Sequence, residues 1–158
     1  MSAGVRVGLI SDTHGKLDKR AVAVFAQERV TAILHAGDIG GPGILYELGI
    51  IAPVTAVLGN NDYQMPGLDL ETIARVPVGG VRFLVIHDFT CLGPIPYDVD
   101  VVVCGHTHRP RNEQHGSVLV ANPGSASQRR MMPNRSVGII DIAEDGACAS
   151  LRIVELTA

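Results

Sequence analysis

The sequence has no block of lysine or arginine residues, no C-x-x-C pair and no long apolar segment. Its 158 residues carry a formal net charge of −3, so we expect no binding surface for duplex nucleic acid, while a small phosphate site stays compatible with that charge. No charged head precedes a long apolar stretch at the N-terminus, and no stretch is long enough to cross a bilayer. We therefore expect a cytoplasmic protein without a signal peptide or a membrane partner.

Cysteine is sparse and odd in number, with Cys91, Cys104 and Cys148. This pattern favours reduced thiols in a cytosolic protein over a disulfide framework. Hydrophobic residues make up 46% of the chain and charged residues 18%, which allows a sizeable core and argues against disorder. Because no linker, repeat or low-complexity segment interrupts the chain, we predict a single domain over residues 1–158.

The first half of the chain alternates strand and helix patterns. Val5–Ile10 is a short β-rich run typical of a buried strand, and Asp18 is a candidate N-cap for the helix that follows it. Two further strands are predicted at Ala32–His35 and at 54–58, separated by a short helix over 42–48 that Gly49 ends. This order favours a parallel sheet with crossover helices.

The second half is richer in hairpin patterns. Segments 73–77 and 81–86, 111–115 and 117–121, and 136–143 and 147–156 form three pairs around glycine-containing turns, with one more strand over 99–104. The last third is therefore expected to be mainly antiparallel. The whole pattern predicts one α/β domain with either one mixed sheet or two sheets packed face to face.

Residue types that bind metals follow the predicted strands at the point where each ends. The carboxyl ends of parallel strands share one edge of a sheet, and residues two apart in extended backbone point the same way. Seven ligands would meet there: Asp12, His14, Asp38, Asn60, His87, His106 and His108. Because seven exceed what one tetrahedral ion takes, we predict two ions that share a bridging carboxylate, with Asp38 as the candidate. A set without thiolate favours manganese, iron, nickel or zinc.

Each motif also has a simpler interpretation when it is taken alone. The pair Asp12 and His14 would fit a polar turn, as would the two histidines of the G-H-T-H motif, and Asn60 would fit a left-handed turn. Their joint occurrence at successive strand ends favours the metal site. His35 and His115 fall outside the set, and we expect His35 in the core or behind a ligand and His115 on the surface.

The order of these motifs, which is D-x-H, G-D, G-N-x-D, a strand-end histidine and G-H-T-H, resembles the calcineurin-like metallophosphoesterase superfamily. With Asn122-Pro123-Gly124-Ser125 after the last motif, the chain looks most like its small bacterial and archaeal phosphodiesterase branch, over residues 5–142. The resemblance implies an α/β fold, a four-layer α/β/β/α sandwich of two mixed β-sheets. It also implies one metal held by Asp12, His14, Asp38 and His108 and a second held by Asp38, Asn60, His87 and His106.

The function implied by this resemblance is hydrolysis of a small or activated phosphodiester by a hydroxide that bridges two divalent ions. Manganese is favoured, with nickel, iron or zinc as alternatives. A phosphomonoesterase and a non-catalytic scaffold on the same fold remain alternative functions. A nuclease acting on long DNA is disfavoured by length and charge, and a homo-oligomer is compatible with the sequence.

Three positions bear on the substrate. Asn61 stands where many members carry the histidine that protonates the leaving group. An amide can donate a hydrogen bond to a phosphate oxygen but cannot deliver a proton, which favours an easier leaving group. Asp88 follows His87 where relatives usually have glycine, and it would add charge near the site, bind a ligand water or point outward. Arg130 follows the N-P-G-S motif and is either a substrate contact or part of a solvated loop.

Overall fold

The computed structural model describes residues 4–129 and 132–157, which form two five-stranded sheets. The first sheet contains β1 (Val5–Ile10), β2 (Ala32–His35), β3 (Val54–Ala56), β9 (Ser136–Ile142) and β10 (Ala149–Glu155). Their order is β10-β9-β1-β2-β3. The pairs β1–β2 and β2–β3 are parallel, whereas β9 is antiparallel to both of its neighbours. The three parallel strands therefore end at one edge of this sheet.

The second sheet contains β4 (Ile73–Val78), β5 (Val81–Ile86), β6 (Val101–Val103), β7 (Arg111–His115) and β8 (Val118–Asn122). Their order is β4-β5-β6-β8-β7. Strands β5, β6 and β8 run parallel, while the two outer strands belong to hairpins and are antiparallel. The second sheet is thus mixed as well, and it brings a second set of parallel strand ends to an edge.

Two α-helices cover the outer face of the first sheet. Helix α1 (Lys19–Glu28) begins after Asp18, whose side chain accepts a hydrogen bond from Arg20 N at 2.9 Å, and α2 (Pro42–Gly49) begins with proline. Phe25 and Leu48 are fully buried and pack in one cluster with Ile33 of the sheet. No helix within residues 4–129 and 132–157 is long and apolar enough to span a bilayer.

The main core lies between the two sheets. Leu9 and Ile140 from the first sheet pack with Phe83 and Val103 from the second, and all four are buried. The outer face of the second sheet is covered by a smaller cluster in which Phe89 and two apolar residues of the following loop pack on the strands. Phe89 belongs to a one-turn 3-10 helix, Phe89–Cys91. The predicted sandwich of two mixed sheets is confirmed.

Most predicted elements are present, with shifts at their ends. The third strand ends at Ala56, since Leu58 N already bonds to Glu71 O at 2.9 Å, and the strand predicted over 99–104 is limited to Val101–Val103. The expectation of a mainly antiparallel last third was incomplete. Strand β8 pairs antiparallel with its hairpin partner β7 on one side and parallel with β6 on the other, because the hairpin places β8 rather than β7 next to β6.

Candidate metal centre

Five of the seven predicted ligands come together where the parallel strands of the two sheets end. They are Asp12, His14, Asp38, His87 and His108, and they form two groups that share Asp12. In the first group, Asp12 Oδ1 lies 3.3 Å from His108 Nε2 and 3.8 Å from His14 Nε2. In the second group, Asp38 Oδ2 lies 3.3 Å from His87 Nε2. The convergence that strand order predicts is therefore present in the folded chain.

The carboxylates of Asp12 and Asp38 are each close to histidines of both groups. Asp38 Oδ2 is 3.8 Å from His14 Nε2 as well as close to His87, and Asp12 Oδ1 is 3.9 Å from His87 Nε2. Asp38 thus has the central position expected of a shared carboxylate. Asp12 has a similar position, which the sequence did not indicate.

Four buried polar atoms at this point have no hydrogen-bond partner within the described residues. They are Asp12 Oδ1 and the Nε2 atoms of His14, His87 and His108. A buried polar atom left unpaired costs about 1–3 kcal/mol, so four that face one another call for a shared partner. Carboxylate oxygen and imidazole nitrogen are donors for a divalent cation, and this donor set therefore fits a metal.

The far ring nitrogens of two histidines are held by backbone carbonyls. His87 Nδ1 lies 2.7 Å from Ala36 O, and His108 Nδ1 lies 2.9 Å from Gln128 O. A carbonyl can only accept, so each Nδ1 carries the proton and donates it. Each Nε2 is then a free acceptor that faces the centre, which is the usual arrangement behind a metal-binding histidine.

The electrostatics of the site keep its carboxylates ionised. Burial opposes ionisation of Asp38, but the adjacent His87 ring and the hydrogen bond from Asn61 N outweigh it and lower its pKa to about 2. Burial likewise opposes ionisation of Asp12, while the nearby His108 ring and the hydrogen bond from Ser11 Oγ bring its pKa below the usual value. Burial lowers the pKa of His87, yet the neighbouring carboxylates raise it overall. The centre therefore carries excess negative charge that a cation would neutralise.

The backbone at the strand ends is not extended, which corrects one expectation. Asp12, His14, His106 and His108 have φ values of 57°, 48°, 73° and 64°, and Asp38 has 54°. Residues two apart therefore do not simply point the same way. The His108 ring lies 5.6 Å from that of His14, whereas the His106 ring lies 5.1 Å from that of His87. Left-handed backbone in non-glycine residues costs about 1–3 kcal/mol each and clusters at functional sites.

Glycines allow the strand ends to approach one another. A Cβ added to Gly59 would overlap Asp38 Oδ1 and Asp38 N, and one added to Gly105 would overlap Ser11 Oγ. The backbone at these two positions therefore approaches its neighbours too closely for any residue but glycine. Both glycines stand next to candidate ligands because any side chain there would displace a carboxylate or its support.

The two remaining predicted ligands are more exposed than the other five. Asn60 is exposed and its role as a ligand stays a prediction, and His106 is partly exposed with its Nε2 3.8 Å from Asp88 Oδ2. Asp88 also caps the 3-10 helix, because its carboxylate accepts bonds from Thr90 N and Thr90 Oγ1. Of the three interpretations left open for Asp88, the structure supports the first, because its carboxylate adds negative charge beside His106.

The segment Gly59-Asn60-Asn61-Asp62 holds the Asp38 loop in place. Asn61 donates from its backbone N and its side-chain Nδ2 to the two oxygens of Asp38, each at 3.0 Å. Asp62 is buried and accepts bonds from the backbone N atoms of Ile39, Gly40 and Gly59. The contact between Asn61 and Asp38 was not predicted, and the phosphate contact of Asn61 stays a prediction.

Sequence reasoning missed several residues that position the ligands. Ser11 Oγ donates to Asp12 Oδ2 at 2.7 Å, and Asn122 Nδ2 donates to Gly105 O at 3.0 Å. Thr13 Oγ1 lies 3.0 Å from Nε2 of His35, which is fully buried as expected. Their one signal in the sequence is proximity to a ligand motif. His115 is exposed beside Glu113, and Arg130 lies outside the described residues.

Comparison with known proteins identifies the family. A model of the calcineurin-like phosphoesterase superfamily domain matches residues 5–145. The chain is 34% identical over 138 residues to a probable metallophosphoesterase of Methanothermobacter thermautotrophicus, with 79% of each chain covered. The chain therefore belongs to the calcineurin-like phosphoesterase superfamily, and the resemblance inferred from its motifs is confirmed.

Solved structures agree on the fold. The phosphoesterase YfcE of Escherichia coli superposes with a TM-score of 0.71 at 25% identity, covering 97% of this chain and 100% of that one. Vps29 of Chaetomium thermophilum gives a TM-score of 0.74 at 18% identity, with 99% of each chain covered. The second likeness concerns the fold alone.

Proposed function

We propose that this protein is a phosphodiesterase that hydrolyses a small or activated phosphodiester with the help of two divalent metal ions, manganese being favoured. The observation that carries the proposal is the set of buried, unpaired ligand atoms on Asp12, His14, His87 and His108. Relatives named as phosphodiesterases support the reaction class, among them YfcE of Escherichia coli at 30% identity over 156 residues.

The ligand residues divide between two ions in this proposal. Asp12, His14, Asp38 and His108 would hold one ion, and Asp38, Asn60, His87 and His106 the other. Such ions, when bound, neutralise phosphoryl oxygens and lower the pKa of a bound water to near neutrality. Asn61 is exposed and bonded to Asp38, so it would be within reach of a substrate at the centre.

The chain's own groups set the limits of the reaction. Asp12 and Asp38 stay ionised at neutral pH, because their pKa values lie below the usual range. Asn61 cannot protonate a leaving oxygen. Arg130, which follows the N-P-G-S motif in the sequence, is proposed as a phosphate contact. A leaving group of low pKa, such as an aryl or nucleotidyl group, therefore suits this site best.

The direct test is turnover of bis(p-nitrophenyl) phosphate by protein freed of metal and then supplied with manganese, nickel, iron or zinc. We expect activity with manganese, and p-nitrophenyl phosphate should be hydrolysed more slowly. Asp38→Ala should abolish activity, because it removes a carboxylate close to both histidine groups. The matched control is Asp69→Asn, which removes an exposed carboxylate. Absence of turnover with all four metals would refute the proposal, and faster monoester hydrolysis would indicate a phosphomonoesterase.

A scaffold function is the second candidate, and one surface favours it. Tyr46 and Ile50 of the α2 region are 78% and 86% exposed, and both line a groove of about 570 Å³. Large exposed apolar side chains are typical of protein contact sites. Metal content after gentle purification separates the two functions, because a scaffold can be metal-free and fully folded, whereas the proposed phosphodiesterase needs its metal.

A further inference from the structure

A cavity of about 360 Å³ lies at the start of α1, and four of its eight lining residues have cationic side chains. Its polar lining residues are Lys16, Asp18, Lys19, Arg20, Ser127 and Arg135. We call this cavity the basic pocket. It belongs to neither group of ligand atoms, and the reaction described above does not use it.

The basic pocket has a charge opposite to that of the whole chain. Four cations and one carboxylate line it, whereas the chain as a whole has a net charge of −3. Asp18 is shared by Arg20, at 2.6 Å, and Arg135, at 3.4 Å. Lys16 and Lys19 are the only lysines in the sequence, and both are exposed and form no ion pair within the described residues. The pocket therefore retains uncompensated positive charge.

The basic pocket adjoins the metal centre on the side of the first ligand group. Ser127, in its wall, donates from Oγ to Asp12 O at 2.6 Å. The next residue, Gln128, provides the carbonyl that holds His108 Nδ1. Another lining residue, Lys16, donates from its backbone N to Thr13 O at 2.9 Å, one residue before His14. The lining of the pocket is thus bonded to the loops that carry Asp12 and His14.

We propose that the basic pocket binds a second phosphoryl group of the substrate, an inference that rests on the proposed function. The preferred substrate is then a small phosphodiester that carries a further phosphate, such as a nucleoside phosphodiester with a phosphate on another hydroxyl. Guanidinium and ammonium groups are the usual partners of phosphate oxygens. The bond that is hydrolysed stays the ester at the metal centre, and the second phosphate supplies binding energy and orientation.

Two matched substrates test this inference. Thymidine 5′-(p-nitrophenyl phosphate) has one phosphate, and the same ester with a 3′-phosphate has two. We expect the native protein to prefer the second substrate in kcat/KM. For the double variant Lys16→Ala/Lys19→Ala, we expect kcat/KM on the second substrate to fall about tenfold, because each exposed charge pair contributes about fivefold or less. Its kcat/KM on the first substrate should change little. The loss should diminish as salt is raised.

The control variant is Arg29→Asn, which removes one positive charge at the other end of α1. Arg29 is exposed with a φ of 53°, a conformation that asparagine tolerates. It should leave the preference between the two substrates unchanged. Equal losses on both substrates in the lysine variant, or no preference in the native protein, would overturn the inference while leaving the phosphodiesterase proposal intact.

A binding measurement without metal gives a readout that does not depend on turnover. Reductive methylation with ¹³C labels the two lysines, which can then be followed by NMR in metal-free protein. Thymidine 3′,5′-bisphosphate should shift both lysine signals, and unphosphorylated thymidine should shift neither. Signals that do not move with the bisphosphate, or that move equally with inorganic phosphate alone, would refute a substrate site. Shifted lysine signals, combined with no turnover when the protein is supplied with metal, would instead refute only the proposed phosphodiesterase activity.

Discussion

At the scale of single residues, Asn61 combines two properties. It fixes both oxygens of Asp38 through its backbone and its amide, and it stands where a proton donor would be expected. A neutral amide can perform the first task but not the second. Asparagine at this position therefore holds the candidate ligand Asp38 in place but does not assist the leaving group.

Replacement of Asn61 by histidine tests this view. Asn61→His keeps the backbone bond to Asp38 and introduces a group that can donate a proton at neutral pH. We expect turnover of alkyl phosphodiesters, which have poor leaving groups, to rise by on the order of 10²-fold, while bis(p-nitrophenyl) phosphate changes little. No gain on alkyl esters would mean either that another group supplies the proton or that protonation is not limiting.

The three cysteines should differ in reactivity. All are free, with Cys104 buried and Cys91 and Cys148 exposed. Burial raises the pKa of Cys104 to about 12, so its thiolate is scarcely populated at pH 8. Titration with a disulfide reagent should detect two thiols in the native protein and three after unfolding. Three fast-reacting thiols in the native state would contradict the buried position of Cys104.

At the scale of elements, the start of α1 depends on Asp18. Hydrogen bonds from Arg20 are the main reason that the pKa of Asp18 falls from 3.8 to about 2. A lowered pKa means that the ionised form stabilises the fold. This stabilisation is complete above about pH 4 and is lost as the pH falls through the folded-state value of about 2.

Asp18→Asn isolates this contribution, because asparagine still caps a helix. We expect the free energy of unfolding to fall by about 1 kcal/mol at pH 7, a value reduced by solvent screening of the partly exposed Arg20. At pH 2 the variant and the native protein should differ by much less. Urea unfolding at both pH values measures the effect, and a difference that does not depend on pH would show that the ion pair contributes nothing.

The strand-end loops depend on glycine in a position-specific way. Gly59→Ala would drive a methyl group into Asp38, so we expect a loss of about 2–3 kcal/mol in the free energy of unfolding together with weaker metal binding. Gly43→Ala is the matched control, because it lies in α2 with no atom within 4 Å of the added carbon. The control should be neutral or stabilising by up to about 1 kcal/mol. Equal stabilities for the two variants would contradict the close contact at Gly59.

At the scale of the whole molecule, the candidate metal centre is built from both sheets and should couple them once metal binds. Strands β1 and β2 of one sheet and β5 and β6 of the other lead into its ligands. Metal that binds only the folded chain should raise the unfolding temperature. The gain is about 2.7 kcal/mol at a free metal concentration of 100 times Kd.

Differential scanning calorimetry with and without manganese measures this coupling. The native protein should show a clear rise in unfolding temperature, and a chelator should reverse it. Asp38→Ala should unfold at nearly the same temperature in both conditions, whereas Asp69→Asn should respond like the native protein. A rise of equal size in Asp38→Ala would mean that manganese binds elsewhere.

The sequence by itself determined most strands and the set of candidate ligands, because both are recorded in local patterns, while the two-sheet sandwich followed from the family resemblance of the motifs. Apolar runs such as Val81–Ile86 specify strands, and Asp12, Asp38 and His87 follow such runs within three residues. Only the tertiary structure decided how these side chains meet. The left-handed backbone at five ligand positions, the bond from Asn61 to Asp38 and the convergence of Lys16 with Arg135 join residues that are distant in sequence or depend on backbone angles. No periodicity in the chain encodes such contacts, since they arise when separate strand ends pack against one another.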